Sequence, residues 1–207
     1  MLFRSGSTEE HHPELADVTS IAGMPVVAAS LHSQVPGVVT AIRHLQPQAR
    51  IAYVMTDAAA LPLALSDLVA AMQDRNLIDL TVTSGHAFGG DLEAVGPAAA
   101  LLAARVAGRA DVVVVAMGPG IVGTGTRFGH TGTEAAVWLD TAAHLGGVPI
   151  AALRTSFGYR GDTGEPFQAV ASQVAVPFRS VDLETHGEGH VESHRTAERV
   201  AGHHHRK

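Results

Sequence analysis

The fold of this chain is decided by the stretch Asp111-Val112-Val113-Val114-Val115-Ala116-Met117-Gly118-Pro119-Gly120-Ile121-Val122-Gly123-Thr124-Gly125-Thr126-Arg127-Phe128-Gly129-His130-Thr131-Gly132. It opens with the strongest strand signal in the chain, because a run of valines favours a strand buried on both faces of a parallel sheet. The remainder holds six of the 22 glycines in the sequence. A strand that leads through many glycines into a helix is how α/β proteins build a cradle for a ligand, often an anion. The stretch therefore predicts both the fold class and the place where a ligand binds.

The same alternation of strand and helix runs through the rest of the chain. Thr131-Gly132-Thr133-Glu134 matches a capping box, which predicts that a helix begins there. A second cap, Ser66 or Asp67, should restart a helix that Pro62 interrupts. Such βαβ units predict a Rossmann-like three-layer α/β/α fold with a mainly parallel sheet of five to six strands. The predicted strands are 25–29, 51–55, 80–83, 111–117, 148–153 and 174–176, and the predicted helices are 36–44, 58–72, 92–107 and 131–145.

Composition divides the chain into three segments. Residues 1–20 are polar and are predicted to form an N-terminal arm, and residues 21–181 are predicted to form a single α/β domain. Residues 182–207 hold six of the 13 histidines and are predicted to be a flexible tail. A solvated terminus is the interpretation that we favour for this tail, with metal binding as the alternative.

Charge and cysteine content exclude several classes of protein. The net charge is −6 and no lysine or arginine run occurs, so a nucleic-acid partner is not expected. The chain has no cysteine, which excludes disulfides, thiolate nucleophiles and Cys zinc sites. No apolar run reaches the ~18 residues of a membrane span, and no signal peptide is recognisable at Met1. We therefore expect a cytoplasmic protein without a membrane partner. Walker and G-x-S-x-G motifs are also absent, which disfavours a P-loop ATPase and a serine hydrolase.

Polar residues follow five successive predicted strands. In an open parallel sheet the carboxyl ends of the strands lie at one edge, and ligands bind beyond that edge. The residues in question are Ser30, His32 and Ser33; Thr56 and Asp57; Ser84, His86 and Asp91; Thr124, Thr126, Arg127 and His130; and Arg154 with Ser156.

The glycine-rich loop is predicted to bind a small anionic ligand through backbone N–H donors, hydroxyls and arginines. Gly118-Pro119-Gly120-Ile121-Val122-Gly123 also reads as G-x-G-x-x-G, but the helix starts about eight residues too late for a dinucleotide site. A glycine turn with no ligand is the third interpretation. The cofactor, if any, is not identified by the sequence. The predicted ligand-binding residues are His32, Gly118, Gly120, Gly123, Thr124, Gly125, Thr126, Arg127, Arg154 and Ser156.

The second candidate cluster is the loop Ser84-Gly85-His86-Ala87-Phe88-Gly89-Gly90-Asp91. A histidine beside a carboxylate is typical of general acid/base catalysis, so His86 is the candidate acid/base, oriented by Asp57 or Asp91. The alternative is that both carboxylates are helix caps and that His86 bonds a nearby carbonyl. Histidines and carboxylates here could also hold a metal, but no H-x-x-x-H spacing supports this, and no metal site is predicted.

Four segments of the chain form a recognisable set: Leu31-His32-Ser33-Gln34, Met55-Thr56-Asp57-Ala58-Ala59-Ala60-Leu61-Pro62, Gly85-His86-Ala87-Phe88-Gly89-Gly90-Asp91 and Gly118-Pro119-Gly120-Ile121-Val122-Gly123-Thr124-Gly125-Thr126. Together they resemble an uncharacterised bacterial family, the domain-of-unknown-function family numbered three-eight-six-six. The resemblance covers roughly residues 20–176, and members of the family are longer at the N-terminus. It implies no established activity.

Three hypotheses about function follow. The first is an enzyme acting on a phosphorylated or carboxylated metabolite, with the glycine loop facing the His86–Asp91 loop across a cleft. The second is a ligand-sensing module that uses the same cradle without catalysis. The third is an interaction protein, such as a homo-oligomer whose glycines allow subunits to approach closely.

Overall fold

The computed structural model describes residues 7–58, 60–126 and 128–153. Within these ranges, six strands form one parallel sheet: Pro25–Ala29 (β1), Ile51–Thr56 (β2), Leu80–Ser84 (β3), Leu92–Ala94 (β4), Val112–Met117 (β5) and Val148–Ala152 (β6). The helices are Thr8–His11 (α1), Val35–Leu45 (α2), Asp67–Asp74 (α3), Pro97–Val106 (α4) and Glu134–His144 (α5). Short 3-10 turns occur at Pro13–Leu15, His32–Gln34, Leu63–Leu65 and Thr131–Thr133.

The strands lie in the order β4-β3-β2-β5-β1-β6. Successive strand residues point to opposite faces of the sheet, and each face has its own core. Val54 and Val113 pack on the face covered by α4 and α5, where Leu101 and Trp138 are buried. The opposite face packs against α2 and α3 and is lined by residues such as Tyr53. The predicted three-layer α/β/α fold with a parallel sheet is therefore confirmed.

The predicted helix at 92–107 is wrong in its first part. Residues Leu92–Ala94 form an edge strand whose Leu92 pairs with Val82 of β3. The Asp91 carboxylate accepts hydrogen bonds from both the backbone N–H and the hydroxyl of Thr81, each at 2.8 Å, and so fixes the chain beside β3. This pairing overrides the helix propensity of the alanine-rich segment, and the helix begins only at Pro97, which has no N–H to satisfy.

The start of α5 also differs from the prediction. No capping box forms, because the Thr131 hydroxyl accepts from the Val122 N–H and donates to the Met117 sulfur. The Glu134 carboxyl group instead accepts a hydrogen bond from the Thr56 hydroxyl. The helix begins at Glu134 after the 3-10 turn Thr131–Thr133. By contrast, the predicted cap at Ser66 is confirmed, since its hydroxyl accepts from the Val69 N–H.

The strand expected at 174–176 and the tail expected at 182–207 lie outside the described residues. Among the residues that are described, no helix is long and apolar enough to cross a membrane.

The chain leaves β2 and β5 in opposite directions along the sheet. From β2 it passes through α3 to β3, and from β5 it passes through α5, beyond β1, to β6 at the other edge. The helices α3 and α5 lie on opposite faces. A crevice opens where two adjacent strands diverge in this way, and ligands of open α/β sheets bind there. We call the space between Thr56–Asp57, at the end of β2, and Met117–Gly118, at the end of β5, the switch-point crevice.

Candidate functional site

His86 and Asp57 meet beside the switch-point crevice. The Asp57 Oδ2 atom lies 3.2 Å from His86 Nδ1 and accepts a hydrogen bond from the His86 backbone N–H at 3.3 Å. The ring is 87% exposed, so Nε2 faces solvent. Gly85 permits this approach: its φ is +67°, and a Cβ there would overlap the Asp57 carboxylate. Of the two carboxylates considered as partners of His86, Asp57 is therefore the one in contact with it.

Asp91 lies elsewhere. Its carboxylate is bonded to Thr81, as described above, and its own N–H donates to the Thr81 hydroxyl at 3.1 Å. The interpretation of Asp91 as a helix cap is wrong, because β4 rather than a helix follows it. The structure gives this carboxylate a role in joining β3 to β4, and places it at the start of β4 rather than beyond the strand ends.

Glu134 is a crevice residue that the sequence reasoning missed. It is the first residue of α5, and its side chain reaches the end of the neighbouring β2, where Oε1 accepts the Thr56 hydroxyl hydrogen bond. Burial raises the pKa of the Glu134 carboxyl, the negative charge of Asp57 raises it further, and the Thr56 hydrogen bond opposes both. The [ST]-x-x-E pattern did mark this glutamate, but assigned it to a capping box. Only the strand order reveals that Thr56 is within its reach.

His32 lies at the end of β1 with both ring nitrogens bonded to protein groups. Nδ1 is 3.1 Å from the Met117 carbonyl oxygen, which can only accept, so this contact is a hydrogen bond in the tautomer whose Nδ1 carries the proton. Nε2 is 2.7 Å from the Ser66 hydroxyl. The Ser66 oxygen accepts a hydrogen bond from the Val69 N–H, so the hydrogen of the hydroxyl can be donated to Nε2. The neutral Nδ1–H tautomer satisfies every group.

Tyr53 completes this buried cluster. Its hydroxyl is 3.0 Å from His32 Nδ1 and donates to the carbonyls of Met117 and Ala116, at 3.1 and 3.3 Å. Burial lowers the pKa of His32, which the Met117 carbonyl partly offsets, and burial raises the pKa of Tyr53. Two donors thus converge on Met117, the residue directly before the glycine loop. His32 was predicted to bind a ligand; in the structure its ring supports the base of the loop, and ligand contact through either nitrogen requires one of these bonds to open.

The glycine loop folds back on itself as a short hairpin. Gly123 and His130 face each other in an antiparallel bridge, flanked by hydrogen bonds from Thr124 N–H to Gly129 oxygen at 2.7 Å and from Thr131 N–H to Val122 oxygen at 2.9 Å. We call residues 118–132 the glycine hairpin. The hydroxyls of Thr124 and Thr126, two of the predicted ligand-binding residues, are 3.0 Å apart and bond each other.

The other predicted ligand-binding residues lie on this hairpin or outside the described residues. Gly120 has a φ of +100° and open space on the side that a Cβ would occupy, whereas Gly118 packs against the Met55 side chain. Within the described part of the chain, the N–H groups of Gly120 and Gly123 donate to no protein acceptor. Gly125 lies at the turn with a φ of +76°. Arg127, Arg154 and Ser156 lie outside the described residues.

The two predicted loops are not carried by adjacent strands. The glycine hairpin follows β5 and the His86 loop follows β3, and β2 lies between those strands. The expected direct juxtaposition is therefore corrected: the end of β2, with Thr56 and Asp57, stands between them. Among the described residues, no group of three or more histidines and carboxylates is placed to hold a metal ion.

Similarity to known proteins is found at the level of a protein family. No curated protein and no solved structure matches the chain. The family described as "Protein of unknown function (DUF3866)" matches residues 5–162, which include all six strands and every described residue of the crevice. The chain belongs to this family.

Proposed function

We propose that the protein is a cytoplasmic enzyme that binds a small anionic metabolite, phosphorylated or carboxylated, at the switch-point crevice and transfers a proton with His86. The observation that supports this most strongly is the contact of Asp57 with His86 at the end of β2. A carboxylate at Nδ1 orients the imidazole and favours the Nδ1–H tautomer, which leaves Nε2 as an exposed base. Asp57 is thus a positioning residue and His86 the proton acceptor.

The charge of the crevice decides where the anion lies in this proposal. Asp57 lies at the end of β2, and its negative charge disfavours an anionic group there. The glycine hairpin, where the N–H groups of Gly120 and Gly123 donate to no acceptor among the described residues, is the side that suits an anion. We expect Arg127 and Arg154 to add positive charge. The ligand then spans the crevice, with its charged group at the hairpin and its reacting atom at His86.

The test is a panel of nucleotides, sugar phosphates, carboxylates and inorganic phosphate, screened by thermal shift and then for turnover. His86→Ala should abolish turnover and retain binding, because the ring is exposed and folding does not depend on it. Gly120→Val should weaken binding, since a β-branched residue strains at φ +100°. His144→Ala is the matched control: His144 also contacts an aspartate, Asp140, but lies at the far end of α5. Unchanged turnover in His86→Ala would overturn the catalytic role.

A ligand-sensing or oligomeric interaction module is the second candidate. Ile121 and Val122 expose 51% and 63% of their surface on the glycine hairpin, although both are apolar. Grouped exposed apolar residues are typical of binding surfaces. Light scattering on the wild type and on Ile121→Ser/Val122→Ser distinguishes this candidate: a dimer that the double substitution dissociates would support it, and a monomer in both proteins would exclude self-association through the hairpin. Anion binding without turnover across the whole panel would instead favour a sensor.

A further inference from the structure

We propose that Glu134 is the acid of the switch-point crevice: a protonated carboxyl whose second oxygen donates its proton to a bound small molecule, while the Asp57–His86 pair accepts one. This inference rests on the proposed function for its partner residue His86, but the protonation and accessibility of Glu134 can be tested without any substrate.

The first support is the geometry of the Glu134 carboxyl. Oε1 is held by the Thr56 hydroxyl, whose residue is almost fully buried at the end of β2. Oε2 makes no hydrogen bond to any residue that the structure describes. The carboxyl is thus fixed by one oxygen, and no described residue bonds the other. A carboxyl held in this way has a fixed position, and its second oxygen can still carry a proton.

The second support is the negative charge of Asp57, which acts on this carboxyl. Asp57 follows Thr56 directly, and its charge acts on the Glu134 carboxyl that the Thr56 hydroxyl holds. A nearby negative charge favours the protonated form of a carboxyl, so the charge of Asp57 raises the pKa of Glu134. The titratable groups that interact with Glu134 electrostatically are Asp57, which favours its protonated form, and the buried Tyr53. Glu134 is bonded to Thr56, whereas Asp57 is in contact with His86. Their surroundings therefore separate an acid from a base.

The proton balance of the proposed step is simple. Glu134 Oε2–H gives its proton to a ligand oxygen and becomes a carboxylate, while His86 Nε2 takes a proton from the ligand and becomes an imidazolium. The ligand leaves as an isomer with no net change in protons or electrons. Exchange of protons with water restores both residues, so no oxidant, reductant or co-reactant is needed. The ligand class is an anion that carries a carbonyl or hydroxyl oxygen beside an exchangeable hydrogen.

An aryl diazoacetamide tests this directly on the intact protein. A carboxylic acid, and not a carboxylate, protonates the diazo carbon; N₂ leaves and the carboxyl oxygen bonds to that carbon as an ester. At pH 6.5, peptide mass spectrometry should find Glu134 esterified more than Glu14, which is exposed but whose pKa is lowered by its hydrogen bond with His12. Each unit by which the Glu134 pKa exceeds that of Glu14 gives about tenfold more labelling in the range where both are mainly ionised.

Two substitutions make the result decisive. Asp57→Asn removes the neighbouring negative charge and should reduce labelling of Glu134 severalfold, whereas Asp140→Asn, a distant exposed carboxyl, should leave it unchanged. Glu134 labelled no more than Glu14, or labelled equally with and without the Asp57 charge, would overturn the inference. Added inorganic phosphate separates the two proposals. Protection of Glu134 supports an anion in the same crevice, and strong labelling without protection counts against the anion site while leaving Glu134 as the acid.

Discussion

Asp57 meets His86 at two points, the ring Nδ1 at 3.2 Å and the backbone N–H at 3.3 Å, and both contacts use the same oxygen, Oδ2. A carboxylate held by the backbone of the residue whose ring it orients cannot drift without losing both contacts. The residue that permits this arrangement is Gly85, whose left-handed φ of +67° leaves no room for a Cβ beside the Asp57 carboxylate. The pair thus depends on a position that carries no functional group.

Gly85→Ala should therefore separate Asp57 from His86. The added methyl overlaps the carboxylate, and the left-handed conformation costs an alanine about 1–2 kcal/mol. The His86 ring should lose its preference for the Nδ1–H tautomer, which ¹⁵N chemical shifts of the ring nitrogens report. Gly37→Ala is the matched control. Gly37 lies in α2 with open space around its Cα, so alanine there should stabilise the fold by about 0.5–1 kcal/mol. An unchanged tautomer ratio in Gly85→Ala would contradict the dependence of the pair on this glycine.

Tyr53→Phe should destabilise the fold without unfolding it. The phenol is completely buried, and its hydroxyl donates to the Met117 carbonyl at 3.1 Å. His32 remains within hydrogen-bond distance of the Met117 carbonyl after the substitution, so this acceptor keeps a partner. The expected loss is about 0.5–1.5 kcal/mol, the net contribution of one hydrogen bond, measured by urea denaturation. A loss above this range would show that the hydroxyl also fixes the glycine hairpin, and hydrogen exchange of the Val122 and Thr131 amides would then accelerate.

The sheet was predictable because a buried strand can be recognised from a few consecutive residues. The valines of β5 and the apolar run of β2 are fully buried, as their composition requires, and glycines mark the ends of several elements. The edge strand β4 was not predictable, since Leu92-Glu93-Ala94 has neither the length nor the branching of a strand. Its pairing depends on the Asp91–Thr81 contacts, which join residues ten positions apart through tertiary structure.

The site was predictable only in part for a similar reason. Asp57 and His86 were identified because both follow strands, and the parallel register brings strand ends together. Glu134 was misread because a capping box and a cross-strand hydrogen bond use the same glutamate, and the choice depends on which strand neighbours β5. Tyr53 was missed because a tyrosine inside an apolar strand looks like core. Only the position of His32 shows that its hydroxyl belongs to a polar cluster.

The stability of the fold should depend on pH through His32. Its pKa is lowered from the ordinary value of 6.5, chiefly by burial. Between the lowered pKa and 6.5, His32 therefore binds a proton in the unfolded chain but not in the folded chain. The contribution is complete above pH 6.5 and is lost progressively as the pH falls from 6.5 toward the lower pKa of the folded state. His32→Asn keeps an amide donor for the Met117 carbonyl and cannot titrate. It should flatten this part of the curve, measured as the free energy of unfolding in urea from pH 5 to 7.

Tyr53→Phe provides the comparison for that experiment. It lowers stability at every pH but leaves a buried histidine in place, so the pH dependence between 5 and 7 should persist. If His32→Asn retains the wild-type slope, the cause lies in another histidine and the buried cluster does not titrate as described.

Glu134 should make the stability of the fold depend on pH in the direction opposite to His32. Burial and the Asp57 charge raise its pKa above the ordinary 4.5, so between 4.5 and the raised value the folded chain binds more protons than the unfolded chain. Its contribution is therefore complete below pH 4.5 and is lost as the pH rises through the folded pKa. Glu134→Gln keeps an oxygen to accept the Thr56 hydroxyl and removes the titration. The variant should lose less stability than the wild type as the pH rises above 4.5.

Asp57→Asn tests whether the charge of Asp57 raises the pKa of Glu134. Removal of the neighbouring charge leaves burial as the remaining reason for a raised pKa, so the pH-dependent loss should move to lower pH without vanishing. Urea denaturation of the two single variants and the double variant, from pH 4 to 7, isolates the coupling. In the Glu134→Gln background the Asp57→Asn effect on this pH dependence should largely disappear, because the charge has lost the carboxyl on which it acts. Equal effects of Asp57→Asn with and without Glu134 would show that the Asp57 charge does not act through Glu134.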